Sequence, residues 1–202
     1  ERDGVWCVDG GMRALALAMA ELAQEHGGRF HYDSPVRRID CVNGRATGIT
    51  LASGETHSAD VVVFNGDTAA LSDGLLGADV STSVPVRPRH QRGLSAITWC
   101  INAETSGFEL DHHNVFFAQN YAQEFSTIFD NRGICNEPTV YVCAQDRING
   151  APLKAGTERL LLLVNAPADG DHKAWTRNKL DEQREHALSV VNRGGANITF
   201  SE

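Results

Sequence analysis

The chain has 202 residues, a formal net charge of -8, 42% hydrophobic and 22% charged residues; this composition suits one large or two small packed domains and excludes a largely disordered chain. The acidic balance argues against nucleic acid as a partner, because phosphate-backbone binding draws on clustered Lys and Arg, and it gives no electrostatic help towards an anionic membrane. No run of about 18 apolar residues marks a membrane span, and five cysteines without CxxC spacing indicate neither a disulfide framework nor a zinc site, so a reducing, cytosolic setting is expected.

The chain begins at Glu1 rather than Met and is expected to be an excised piece of a longer protein, with part of the chemistry outside it. Met12, Leu15, Met19, Leu22 and Ala23 recur at helical spacing and predict a helix over 11–25, with Asp9 as cap and Gly27 as stop. β-branched runs punctuated by Asn43-Gly44 and Ser53-Gly54 predict antiparallel strands at 36–42, 45–52 and 55–59, since Asn-Gly tolerates the positive φ of a type I′ turn. The apolar run ADVVVFN, 59–65, reads as a strand buried on both faces.

DTAALSDGLLG, 67–77, predicts a short helix and a stop. VPVRPRHQRG, 84–93, carries Arg87, Arg89, His90 and Arg92 and is either a crossover between two structural units or a solvated loop. Strands then follow in LSAITWCIN, HHNVFFA, TVYVCAQ and ERLLLLVNAP, with a short helix in YAQEFSTIF. DHKAWTRNKLDEQREHALSVVNR, 171–193, reads as a long helix with one narrow apolar stripe, stopped by Gly194-Gly195. The whole is an α+β pattern.

Candidate chemistry is sparse. Gly10 and Gly11 open a helix, where free N–H groups could meet an anion. DGGMRA nevertheless lacks the third glycine of GxGxxG, so a tight turn into the helix is the better reading. His112 and His113 are neighbours in an expected strand, where side chains alternate between faces, and that argues against a shared metal. Ser95 and Asp111 could join the histidines in a hydrolytic set on paper, but no GxSxG elbow supports it. Asn197-Ile198-Thr199 reads as a chance glycosylation match.

Sharper expectations come from likeness. Gly10, Gly11 and Met12 precede the first helix, Gly27 and Gly28 follow it, and Val36 and Ile39 lie on a strand. Gly44 through Ile49 form a hairpin, Ala59 through Val63 a strand, and Asn65 and Asp67 close the set. This order resembles the FAD-dependent carotenoid desaturases, the phytoene dehydrogenase-like family. Ile49 and Gly66 depart mildly from its usual Val and Ala. LDHHNVFFAQNYAQEFSTIF, PTVYVCAQDR and ERLLLLVNAP continue the likeness, and within the family HHNVFF and YVCAQDR are most similar to bacterial hydroxyneurosporene or methoxyneurosporene dehydrogenases.

The resemblance implies an amine-oxidase-like, FAD/NAD(P)-binding fold. Residues 1–67, with the β-meander, would be the middle segment of the FAD domain, and 68–202 part of a mixed sheet-and-helix substrate domain. It implies FAD in the parent protein, a Val36 backbone contact to the adenine, and Asn65 and Asp67 near the cofactor, although either could instead cap the next helix. It also implies desaturation of an acyclic carotenoid, with hydride passing to the flavin. Trp99, Phe116 and Phe117 become candidates for an apolar substrate tunnel and His112 or His113 for a polar group beside it, although each is more readily read as an ordinary core or strand residue.

The chain alone lacks the main FAD-binding motif, so it is expected to bind FAD weakly or not at all and to be inactive. The substrate's insolubility implies a cytoplasmic protein peripheral to the inner or photosynthetic membrane. The rival expectations are a noncatalytic isoprenoid- or lipid-binding module and another flavin oxidoreductase of the amine oxidase superfamily.

Overall fold

The computed structural model describes residues 6, 8–147, 156–172 and 175–200; Cys7 lies outside the described residues. The chain condenses into two compact units that divide between Arg87 and Pro88, inside the 84–93 stretch.

In the first unit, helix α1 spans Gly11–Glu25. Asp9 does not cap it: the N-cap is Gly10 in the left-handed conformation at φ 77°, with no side-chain cap. Gly11 follows at φ 78°, and its N–H closes a turn on the Val8 carbonyl at 2.9 Å. This is the tight turn that only glycine makes without strain. At the other end Gly28 N–H bonds the Ala23 carbonyl at 2.8 Å and Gly27 N–H the Gln24 carbonyl at 2.9 Å, the paired bonds of a Schellman stop. No residue of α1 is buried, and its expected packing face, including Met12, Met19 and Leu22, is exposed.

Strands β1 (Val36–Val42), β2 (Arg45–Leu51) and β3 (Thr56–Ser58) form an antiparallel meander in that order. Asn43 and Gly44, at φ 53° and 77°, make the first turn and set Val42 opposite Arg45. Ile39 then meets Leu71 of the short helix α2 (Ala69–Ser72) and Val80 of a 3-10 turn (Ala78–Ser83), forming a small core. Residues 68–87, expected with the second part of the chain, therefore pack on the first.

The run 59–65 is not a ladder strand. It is extended, with Val62 and Phe64 packed against the small core and Val61 and Val63 exposed. A strand buried on both faces needs hydrogen-bonded neighbours and a layer on each side; the described residues of this unit cover one face.

The second unit is a five-stranded antiparallel sheet in the order β5-β6-β7-β4-β8. Its strands are β4 (Leu94–Gly107), β5 (His113–Phe116), β6 (Val140–Ala144), β7 (Glu158–Pro167) and β8 (Ala196–Phe200). Strand β8, passed over in the sequence beyond its Asn-Ile-Thr triplet, pairs with the second half of β4. Helix α3 (Tyr121–Phe129) is capped by Asn120, whose side chain accepts from Gln123 N–H. Helix α4 (Arg177–Arg193) starts later than expected because Thr176 caps it, leaving Trp175 outside.

One sheet face carries Val140, Val142, Leu160, Leu162 and Val164 against Ala187, Leu188, Val190 and Val191 of α4, which form the main core. At its edge Gly194 has no room for a side chain: a Cβ there would lie 2.4 Å from the Phe116 ring. Gly194→Ala should therefore cost about 1–3 kcal/mol, the range for overpacking a filled site, and appear as a lowered thermal midpoint. An unchanged midpoint would show that Phe116 can move aside freely.

Candidate functional site

Strand register sorts the candidate residues onto two faces. Asn114, Val142, Leu162 and Trp99 form one transverse row, and Phe116, Val140, Val164 and Ile97 the next, both on the face closed by α4. Trp99 and Phe116 pack against that core, the ordinary role weighed for them in the sequence. The opposite face carries the row His113, Cys143, Leu161 and Cys100, followed by Val115, Tyr141, Leu163 and Thr98. Here Val115, Thr98 and Cys100 are exposed and Leu161 and Leu163 only half-buried, an apolar surface on an otherwise packed sheet.

Phe117 extends this surface. It is 67% exposed and opens a ladder of rings one helical turn apart: Phe117 on Tyr121, Tyr121 on Phe125 and Phe125 on Phe129, with centroids at 5.9, 4.9 and 6.2 Å. The i, i+4 spacing was visible in the sequence, but its exposure was not.

The two histidines are closer than strand alternation suggested. β5 begins at His113, so His112 precedes it and alternation does not govern the pair; the rings lie 4.4 Å apart at 73°. His112 Nδ1 donates to the Ala144 carbonyl at 3.1 Å, since a carbonyl can only accept. Its Nε2 is thereby left bare, 3.8 Å from Cys143 Sγ. His113 Nδ1 shares a 2.7 Å hydrogen bond with the Tyr141 hydroxyl. Burial first, and Cys143 next to it, pushes the Tyr141 phenol up to about 12, so it keeps its proton. Tyr141 and Cys143 were not singled out in the sequence, because only strand register brings them beside the histidines.

In the first unit, Val36 opens β1, the edge strand of the meander, and a register shift between Val36 and Arg38 loosens the ladder there. Asn65 is exposed at the end of the extended run. Asp67 accepts from Ala69 N–H at 2.9 Å and so caps the start of α2. Hydrogen bonds from Thr50 and then Arg38 hold the Asp40 carboxyl below its ordinary value, tying β1 to β2.

Behind the second sheet, Glu158 is 2% exposed and takes two bonds from the Arg147 guanidinium, at 2.8 and 2.9 Å, and one from Thr105. Arg147 also donates to the Leu110 carbonyl at 2.7 Å and to Thr105 Oγ1 at 3.0 Å. Burial pushes the Glu158 carboxyl up, but the bonds from Arg147 and Thr105 outweigh it and leave it below its ordinary value. Among the described residues no helix is long and apolar enough to cross a membrane.

The family of flavin containing amine oxidoreductases matches residues 1–191. Hydroxyneurosporene desaturase of Rubrivivax gelatinosus is 45% identical over 201 residues, all but complete coverage of this chain and 38% of that protein. Its namesake in Cereibacter sphaeroides is 47% identical over 83% of this chain and 33% of its own length. The 1-hydroxycarotenoid 3,4-desaturase of a Flavobacterium species is 30% identical over 94% of this chain and 38% of its own length. The chain thus spans between 33% and 38% of the length of these curated relatives.

Proposed function

Because the chain belongs to the flavin containing amine oxidoreductase family, we propose that it forms the middle of an enzyme that desaturates a hydroxylated acyclic carotenoid. The first unit, residues 1–87, serves the flavin part and the second, 88–202, the substrate part. The observation that carries the substrate assignment is the open apolar sheet face bordered by the Phe117 ladder. The names of its relatives support the choice of a hydroxylated carotenoid.

FAD fits the first unit in part. The edge position and loosened register at Val36 leave backbone groups free for a base, which suits a contact that reads no side chain. Asn65 is available to the cofactor, whereas the Asp67 carboxylate is engaged with α2. The phosphate-binding GxGxxG does not occur in the 202 residues, so another part of the protein supplies it. When bound, FAD supplies the acceptor for the hydride removed from the polyene.

The residues of this chain bind and orient. Leu161, Leu163 and Val115 offer a flat surface from which a polyene displaces water, gaining about 25 cal/mol for each Å² buried. Rings at Phe117 and Tyr121 can stack on conjugated carbon. His113 on the edge strand and Tyr141 on the strand beside it offer hydrogen-bond partners to a terminal hydroxyl. An insoluble substrate suits a reaction at a membrane surface, and cysteines without disulfide spacing suit its cytoplasmic side.

The test is to supply the full-length protein with hydroxylated acyclic carotenoids and follow the absorption spectrum. A red shift is expected, because each added double bond lengthens the chromophore; no shift with any of them would overturn the desaturase reading.

A further inference from the structure

We propose that His112, His113 and Cys143 form a binding site for a zinc-class divalent metal ion at the open edge of the second sheet. One ligating atom from each of the three residues lies within 4.8 Å of the others. The site shares His113 and one sheet face with the substrate surface assigned above, but an ion bound there is read without turnover, so the two readings fail separately.

The chain builds this site from two strands. Cys143 of β6 stands directly opposite His113 of β5, so both side chains emerge on the same face. His112, just before β5, folds back towards them because its Nδ1 is anchored on the Ala144 carbonyl. That anchor fixes the tautomer: Nδ1 carries the hydrogen and Nε2 presents its lone pair to Cys143 Sγ at 3.8 Å. Tetrahedral zinc, with bonds of about 2.3 Å to sulfur and about 2.0–2.1 Å to nitrogen, sets those two atoms about 3.6 Å apart.

His113 is supported in the same way, through Nδ1 on the Tyr141 hydroxyl at 2.7 Å. Metal-binding imidazoles almost always carry such an outer partner on the second nitrogen. His113 stands exposed on the edge strand, open to an incoming ion.

Two imidazoles and a thiol suit zinc or a similar borderline-soft ion rather than magnesium or calcium, which take oxygen ligands. On binding, Cys143 coordinates as thiolate and its proton passes to solvent. Three protein ligands leave a fourth position open, on the face that carries Tyr141, Val115 and Leu161.

Equilibrium dialysis of the reduced, chelator-treated full-length protein against zinc, with cobalt as the spectroscopic substitute, tests the site. The expected result is one ion per chain, a thiolate-to-cobalt charge-transfer band, loss of that band in Cys143→Ser and at least tenfold weaker binding in His112→Gln. Cys100→Ser, in the same row but beyond Leu161, should keep it. Failure of the parent protein to bind stoichiometrically, or a band that survives Cys143→Ser, overturns the proposal. Should the variants not fold, the titration of the parent protein decides.

Discussion

Arg147→Met should destabilise the protein by about 3–5 kcal/mol at neutral pH, the cost of stranding a buried charge once its partner is removed. Four of the guanidinium's hydrogen bonds vanish together, to both Glu158 oxygens, Thr105 and the Leu110 carbonyl. The carboxylate of Glu158 remains at the start of β7, paired across the sheet with Ala103, where almost no solvent reaches it. Glu158→Gln in the same background should recover part of the loss, because an amide needs no counter-charge. Chemical denaturation of the parent protein and the two variants checks this, and a loss below about 1 kcal/mol, the scale of a surface pair, would show that the site is wetter than its burial indicates.

The same network sets a pH dependence. In the folded protein the Glu158 carboxyl lies below its ordinary 4.5, so its contribution to stability is fully present above that value and is lost as pH falls through the folded value. In Arg147→Met the carboxyl is left with burial as its dominant influence, which favours the protonated form. As pH falls, acid relieves the variant above about pH 4.5 and weakens the parent protein below it, so the gap between their unfolding midpoints should narrow progressively from about pH 7 to about pH 4. A gap that stays constant between about pH 7 and pH 4 would count against Glu158 as the titrating group.

Features fixed by neighbours in sequence were readable before the structure. Helix α1, the Asn43-Gly44 hairpin, α3 and the full span of β7 follow from periodicity, caps and turn residues, all within a few positions of one another. Features that depend on partners were not. The run 59–65 has the composition of a central strand yet lacks ladder neighbours among the described residues. The apolar stripe of α1 predicts a packed helix, and in this unit nothing described buries it.

Register explains the candidate site in the same way. Trp99 and Phe116 are as apolar as any tunnel residue, and only their pairing with Leu162 and Val140 shows them on the closed face. Alternation wrongly separated His112 from His113 because it assumed a strand that starts one residue too early. Cys143 and Tyr141 carry no local signal at all, since they meet the histidines through a sheet pairing thirty or so positions away in the chain.

The division between faces gives the second large effect, in adjacent residues of β7. Leu162 is fully buried against α4 while Leu163 lies half-buried on the open face. Leu162→Ala should cost about 2–5 kcal/mol by leaving a cavity in a packed core. Leu163→Gln should change stability by less than about 1 kcal/mol, because its side chain projects from the half-open face. Activity should show the reverse. An amide set against a polyene without a hydrogen-bond partner costs about 1–3 kcal/mol, so kcat/KM of the full-length protein on a hydroxylated carotenoid should fall roughly tenfold or more. Thermal melts and turnover measured on both variants separate the two roles. Equal turnover in Leu163→Gln and the parent protein would remove the open face from the substrate path, even if the enzyme itself proves to be a desaturase.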